Sequence, residues 1–187
     1  MKRIAVVHAF EAEQITLPSN SDIEIKQFIC GCGKAKAAAA TMKIVLTYKP
    51  DFVLNVGTAG SCNHPIGEIL VCNSFLDRNL LPLVEFGLEA KISIDTNNEV
   101  AQKLISGCTL STCNTGDNFV YEPFGDGDVC DMEAFAIAQV CKSESVPMIA
   151  IKYVTDIVGQ NSVQMWEDKL ADARKALTNF LNYRLQS

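Results

Sequence analysis

Residues 131–156, DMEAFAIAQVCKSESVPMIAIKYVTD, decide the fold of this 187-residue chain. Apolar residues recur at helical spacing over Met132–Cys141, and Asp131 suits the N-cap of that helix, which places Glu133 in its first turn. A proline then ends the helix, and Met148–Val154 is an apolar, β-branched run of strand length. A helix that leads directly into a buried strand indicates an α/β fold.

Thr155 and Asp156 follow that strand at its C-terminal end, where open α/β sheets bind ligands. The plainer interpretation is structural: Glu133 complements the helix dipole, and Asp156 caps the next segment. The functional interpretation, a ligand site with two carboxylates, requires matching groups elsewhere in the chain.

Composition limits the classes of protein. The length fits a single domain over 1–187, and the net charge of −6, with no basic stripe, argues against a nucleic-acid partner. No apolar stretch is long enough to cross a membrane. The N-terminal apolar run ends after four residues at His8, so we interpret it as a first strand of a cytoplasmic protein and not as a signal peptide.

The eight cysteines lie largely within apolar runs, which is typical of small core residues in a reducing compartment. Only two histidines accompany them, and the pattern contains no convincing metal-ligand set. We therefore expect neither a metal nor another cofactor.

Two other strands end at candidate site residues. Glu11 and Glu13 follow the first strand, and Phe52–Val56 leads into Gly57–Ser61, small residues that we expect to form a turn with N–H groups free for an oxygen. A further Gly-x-Gly at Gly31–Gly33 precedes a helix, an arrangement that can cradle phosphate. Because the full dinucleotide or P-loop pattern is lacking, we expect a tight turn with close helix packing instead.

The rest of the chain is assigned by periodicity and by its turn residues. Residues 79–91 are expected to form a loop or lid, and 125–128 an acidic surface turn. The predicted strands are 23–28, 69–72 and 108–112, and the predicted helices are 34–48, 97–106 and 164–185.

Taken together and in order, five stretches resemble the purine nucleoside phosphorylase and nucleosidase superfamily, and within it most of all the methylthioadenosine/S-adenosylhomocysteine nucleosidases. The stretches are Glu11-Ala-Glu13, Gly31-Cys-Gly33-Lys34, Asn55-Val-Gly57-Thr-Ala59-Gly60 with Ile66-Gly67-Glu68, Thr115-Gly-Asp-Asn-Phe119, and Asp131-Met-Glu133 with Val154-Thr-Asp156. The resemblance implies a three-layer α/β/α sandwich around a mixed central sheet, hydrolysis of the N-glycosidic bond of a purine nucleoside, and a homodimer.

The resemblance also implies roles for individual residues. Asp156 would protonate the purine at N7 with help from Thr155, and Glu13 would deprotonate the attacking water. Such a reaction needs Asp156 protonated, which a desolvated strand end favours, and Glu13 ionised, which requires solvent or hydrogen bonds. The substrate-binding residues implied are Thr58, Ala59, Gly60, Phe119 (stacked on the base), Val120 (backbone at the base edge), Met132 and Glu133 (at the ribose) and Thr155.

Three alternatives stay open. A phosphorylase would need a basic clamp for phosphate, but Leu54-Asn55 stands where the phosphorylases carry an arginine. A futalosine-type hydrolase would have nearly the same site, and a non-catalytic nucleoside-binding domain would need fewer acids. The chain departs from the family by shortening around 15–22 and 79–97 and by Lys152, where relatives usually have arginine, which leaves the 5′ group and the oligomer open.

Overall fold

The structure is a computed structural model that describes residues 1–19, 21–160 and 162–185. The strands are β1 Lys2–His8, β2 Ile23–Ile29, β3 Phe52–Ser61, β4 Ile69–Asp77, β5 Lys91–Ser93, β6 Leu110–Thr115, β7 Val129–Asp131 and β8 Met148–Ile157. The helices are α1 Lys34–Tyr48, α2 Glu99–Ile105, α3 Ala134–Ser143 and α4 Ser162–Leu185, with 3-10 turns at Glu11–Glu13 and Leu81–Phe86.

The strands form one mixed eight-stranded sheet with the order β2-β1-β3-β7-β6-β4-β5, and β8 pairs with both β3 and β4. β1, β2, β3 and β8 run parallel, whereas β4 and β7 run against β8 and β3 respectively. β8 pairs with both β3 and β4, and β7 pairs with both β3 and β6, so that part of the sheet closes on itself. The closure brings the ends of β6 and β7 close to the C-terminal end of β3.

Helices cover both faces of the sheet, as the three-layer prediction requires. One apolar core lies between the sheet and helices α1 and α3, and it includes Ile44 and Phe135. The second core lies against α2 and α4, and it includes Leu104 and Leu177. β8 contributes alternate residues to the two cores, since Met148 faces the first and Ile149 the second. That two-sided burial explains why β8 is apolar along its length.

Element boundaries test the sequence predictions. Helix α1 has the predicted limits, and the final helix begins two residues earlier than predicted. The predicted turn Gly57–Ser61 is wrong, because β3 continues through Ser61 and pairs with β8 over that stretch. The strand expected at 108–112 lies at Leu110–Thr115, and β7 was not predicted.

The start of α3 also differs from prediction. Asp131 is the last residue of β7, and Glu133 occupies the N-cap position, so Glu133 precedes the first turn of the helix. The Asp131 carboxylate nevertheless accepts a hydrogen bond from the Ala134 N–H at 2.9 Å. Asp131 thus satisfies the helix N-terminus from the neighbouring strand, which frees the Glu133 side chain for other contacts.

In 1–19, 21–160 and 162–185, no helix is both long and apolar enough to cross a bilayer. Over the same ranges no group of three or more His, Cys, Asp or Glu side chains is arranged to hold a metal ion. All eight cysteines are free thiols.

Candidate active site

A pocket of about 310 Å³ opens beside the C-terminal ends of β1, β3 and β8. The sequence predicted ten site residues, and all ten line this pocket. They are Glu13, Thr58, Ala59, Gly60, Phe119, Val120, Met132, Glu133, Thr155 and Asp156. The volume is within the usual range for small-molecule sites. Residues 79–91, expected to form a loop or lid, form a connection that contains the 3-10 turn Leu81–Phe86, and none of them lines the pocket.

Two glycines of β3 make room for two carboxylates. A Cβ at Gly57 would lie 2.9 Å from Glu13 Oε1, and a Cβ at Gly60 would lie 2.9 Å from Asp156 Oδ2. Real Cβ atoms essentially never come this close to another heavy atom. Glycine at 57 and 60 is therefore needed for Glu13 and Asp156 to approach the strand.

Glu13 is buried and accepts four hydrogen bonds from uncharged donors. The N–H and hydroxyl of Thr58 donate to Oε1 at 2.9 and 2.7 Å, and the N–H groups of Ala9 and Phe10 donate to Oε2 at 3.2 and 3.3 Å. The free N–H expected of the 57–61 segment is thus used by the protein's own carboxylate. Both oxygens of the Glu13 carboxyl group are thus satisfied by donors of the protein itself.

Asp156 is placed by an irregularity in β8. Val154 pairs with Ala59 and Asp156 pairs with Gly60, which leaves Thr155 as an extra residue without a partner in β3. The Thr155 hydroxyl lies 2.8 Å from Asp156 Oδ1 and 3.3 Å from the Ala59 carbonyl oxygen. A hydroxyl has one proton, so Thr155 donates either to Asp156 Oδ1, the nearer oxygen, or to the Ala59 carbonyl. Thr155 thus orients the Asp156 carboxyl group, which lines the pocket.

Glu133 lines the same pocket from the N-cap position of α3. Its Oε1 accepts a hydrogen bond from the Gly33 N–H at 2.9 Å. Burial, together with the negative charge of Asp131, raises the pKa of Glu133 to about 7. The carboxylate is therefore poised between its two protonation states near neutral pH.

Behind Glu133, Asp131 and Lys152 form a buried ion pair with Nζ and Oδ2 2.8 Å apart. Burial alone would lower the pKa of Lys152, but the negative charge of Asp131 has the larger effect, so the pKa is raised. Burial likewise disfavours the Asp131 charge, but Lys152 and the Thr115 hydroxyl, 2.6 Å from Oδ1, keep the pKa of Asp131 low. Lysine thus forms a direct ion pair at the position where the resemblance led us to expect arginine.

Protein carboxylates occupy the N-terminus of α1, where a phosphate cradle was considered. The Gly33 N–H donates to Glu133, and the Lys34 N–H donates to Asp117 Oδ1 at 2.7 Å. Lys34 Nζ is held by Asp77 at 2.8 Å. This segment therefore ties Glu133 and the 116–119 loop together and does not present a vacant anion site.

Arg78 is the one arginine among the residues that line the pocket. Its Nη1 donates to the carbonyl oxygens of Asn114 and Asp131 at 2.9 and 3.2 Å, and its Nη2 donates to those of Gly116 and Asn118 at 3.1 and 2.6 Å. The guanidinium is thus used to hold the strand end and loop that precede Phe119.

Sequence reasoning missed the apolar wall of the pocket. Trp166, Val163 and Val158 come from α4 and the segment before it, and Phe10 comes from the turn after β1. The Trp166 indole N–H donates to the Thr58 hydroxyl at 2.8 Å, and its ring lies 5.8 Å from that of Phe10. The one available signal was that Trp166 is the only tryptophan in the chain.

Comparison of the sequence and the structure with known proteins identifies the family of this chain. A family model described as the phosphorylase superfamily matches residues 24–183. The chain therefore belongs to the phosphorylase superfamily. It is 29% identical over 170 residues to the 5′-methylthioadenosine/S-adenosylhomocysteine nucleosidase of Bacillus subtilis, an alignment that covers 76% of this chain and 72% of that one.

A second relative aligns over nearly the full length of both chains. This is the 5′-methylthioadenosine/S-adenosylhomocysteine nucleosidase of Bacillus thuringiensis, 25% identical, with 96% of each chain covered. Among solved structures, a futalosine hydrolase mutant of Helicobacter pylori superposes with a TM-score of 0.84 at 17% identity, covering 100% of this chain and 99% of that chain. A Helicobacter pylori 5′-methylthioadenosine/S-adenosylhomocysteine nucleosidase gives 0.82 at 18% identity, with 100% and 98% covered. These superpositions confirm the predicted fold class.

Proposed function

We propose that this chain is a purine nucleosidase, which hydrolyses the N-glycosidic bond of methylthioadenosine or S-adenosylhomocysteine and releases the free base and a ribose derivative. The curated relatives described above carry this activity in their names. The observation that carries the proposal is the pair of carboxylates, Glu13 and Asp156, that approach β3 at Gly57 and Gly60 within one pocket.

The chemistry of N-glycoside cleavage requires a general acid and a general base. Negative charge develops on the departing purine, and positive charge develops on the ribose as the bond breaks. Asp156, with Thr155 beside it, donates a proton to the purine at N7. Glu13 accepts a proton from the water that attacks the sugar carbon. Glu133 holds the ribose hydroxyls, and Met132 packs against the sugar.

The base lies between the 119–120 segment and β3. Phe119 stacks on the purine ring, and the backbone of Val120 meets its edge. Thr58, Ala59 and Gly60 form the strand side of the site. The hydrogen bonds that tie Lys34, Asp77 and Asp117 together support this role, because they hold the loop that carries Phe119.

Water is a better nucleophile for this pocket than phosphate. A phosphate dianion would have to take the Thr58 N–H and hydroxyl from Glu13, and it would face the negative charge of that carboxylate. Arg78, the pocket-lining arginine, already donates to four carbonyl oxygens. Glu13 thus fills the position that an anion would need.

The test is release of free base from methylthioadenosine, S-adenosylhomocysteine, adenosine, inosine and futalosine, each with and without phosphate. Release from the first two without phosphate supports the proposal. Preference for futalosine would assign the related hydrolase activity, and strict dependence on phosphate would make the chain a phosphorylase. Binding without release from any substrate would leave a nucleoside-binding domain. Asp156→Asn serves as the inactive control, and near-normal release by that variant contradicts the role of Asp156.

We also infer that the chain works as a cytoplasmic homodimer. Its eight free thiols fit a reducing compartment. The 3-10 turn Leu81–Phe86 exposes Val84 and Phe86, the latter at 72%, an unusual apolar exposure for a free surface. A second copy would cover this patch. Light scattering on the wild type and on Phe86→Glu tests the assembly: a monomeric wild type contradicts it.

A further inference from the structure

Trp166 is joined to Glu13 through one hydroxyl. The indole Nε1 lies 2.8 Å from Thr58 Oγ1, which lies 2.7 Å from Glu13 Oε1. Trp166 belongs to the first turns of α4, whereas Thr58 belongs to β3, and they are 108 residues apart in sequence. The contact therefore depends on how α4 packs across the mouth of the pocket.

The direction of each hydrogen bond in this chain is fixed by chemistry. An indole N–H can only donate, so Thr58 Oγ1 accepts from Trp166. An ionised carboxylate can only accept, so the single hydroxyl proton of Thr58 points at Glu13. With the indole in place, the hydroxyl has one orientation that satisfies both neighbours.

The two oxygens of Glu13 are held unequally. Oε1 receives the two shorter hydrogen bonds, both from Thr58, and Oε2 receives two at 3.2 and 3.3 Å from Ala9 and Phe10. Oε1 is therefore the more closely held oxygen, and both of its donors belong to Thr58.

We propose that Trp166 is a positioning residue for Glu13: its indole N–H fixes the Thr58 hydroxyl as a donor to Oε1 and so holds the carboxylate in the orientation that accepts a proton from the attacking water. This inference rests on the proposed function. Trp166 acts on Glu13 through the Thr58 hydroxyl, and it neither accepts nor donates a proton in the reaction itself. Its ring also forms the pocket wall with Phe10, so the two roles must be separated by experiment.

A double-mutant cycle separates them. Trp166→Phe keeps an aromatic ring against Phe10 but removes the N–H, and Thr58→Val keeps the side-chain shape but removes the hydroxyl. We expect Trp166→Phe to lower kcat by about five- to tenfold, the value of one neutral hydrogen bond, with KM changed by less than about twofold. In the Thr58→Val background the same change should lower kcat by less than about twofold further, because the hydroxyl through which Trp166 acts is gone.

A matched background keeps the hydroxyl. In Thr58→Ser, Trp166→Phe should again lower kcat by about five- to tenfold. The three proteins that retain the only tryptophan can be checked for an intact pocket by its emission spectrum. If Trp166→Phe lowers kcat equally in the Thr58→Val and Thr58→Ser backgrounds, or changes only KM, then Trp166 only lines the pocket and the inference is overturned. Absence of base release by the unchanged chain would instead overturn the proposed function, and the inference with it.

Discussion

Glu13 and Glu133 are both buried carboxylates of one pocket, with 4% and 6% of their surface exposed, yet their surroundings differ. Glu13 accepts four hydrogen bonds from uncharged groups. Glu133 accepts a hydrogen bond from the Gly33 N–H, has the Cys32 thiol beside it and lies near the negative charge of Asp131. Burial, and then the charge of Asp131, raises the pKa of Glu133 to about 7. Burial alone therefore does not decide what a carboxylate does; the donors around it divide the roles.

The largest expected effect, on kcat, comes from replacing the Glu13 carboxylate, which accepts the four hydrogen bonds. Glu13→Gln keeps the size of the side chain but places an amide NH₂ among donors and removes the proton acceptor. We expect kcat for base release to fall by about 10²- to 10⁴-fold, the usual contribution of a general base. Glu11→Gln is the matched control, since Glu11 is exposed in the same 3-10 turn and should keep wild-type kcat. Equal activity of Glu13→Gln and Glu11→Gln would contradict the role of Glu13.

A smaller effect, on stability, is expected on the Glu133 side. Lys152→Met leaves Asp131 as an uncompensated buried charge next to Glu133. The free energy of unfolding, measured in urea, should fall by about 3–5 kcal/mol. The control is Lys169→Met, which removes one partner of the exposed pair with Asp172 and should cost about 0–1 kcal/mol. Similar losses in the two variants would mean that the Asp131–Lys152 pair is not the buried support described here.

The smallest effect depends on pH. The folded state raises the pKa of Glu133 from its ordinary value of 4.5 to about 7, so between these values the folded protein holds a proton that the unfolded chain has released. Wild-type stability should therefore fall as pH rises through this window. Glu133→Gln removes the dependence, and at about pH 8 it should be more stable than wild type by about 1–3 kcal/mol, with little difference near pH 4.5.

Urea unfolding at several pH values checks this expectation. Glu122→Gln, at an exposed position, is the control and should follow the wild-type curve. A stability difference between Glu133→Gln and wild type that is the same at every pH would contradict the raised pKa of Glu133.

The sequence predicted the parts of the molecule that local patterns determine. Helix α1 and the apolar strand β8 follow from hydrophobic periodicity and from the prolines and glycines around them. The ten site residues came from the family resemblance, and they line one pocket. Six of them lie at the C-terminal ends of the parallel strands β1, β3 and β8, where such sheets bind ligands. The other four follow β6 and β7, which run against β3 and which the closure of the sheet brings to the same place.

The misses are long-range. Gly57 and Gly60 suggested a turn because glycine weakens strands, whereas pairing with β8 overrides that preference and keeps them in β3. The Asp131 carboxylate caps α3 from a three-residue strand, β7, that exists only through pairing with β6 and β3. Trp166 meets Thr58 across 108 residues, a contact that no periodicity encodes.

The most direct test of the central claim, that Glu13 activates water where an anion would otherwise bind, is to follow the oxygen that joins the sugar. Methylthioadenosine would be converted in water labelled with oxygen-18, with phosphate in excess, and the ribose product analysed by mass spectrometry. We expect one labelled oxygen at C1 and free methylthioribose as the sugar product. A sugar 1-phosphate, with no label from water, would contradict the account.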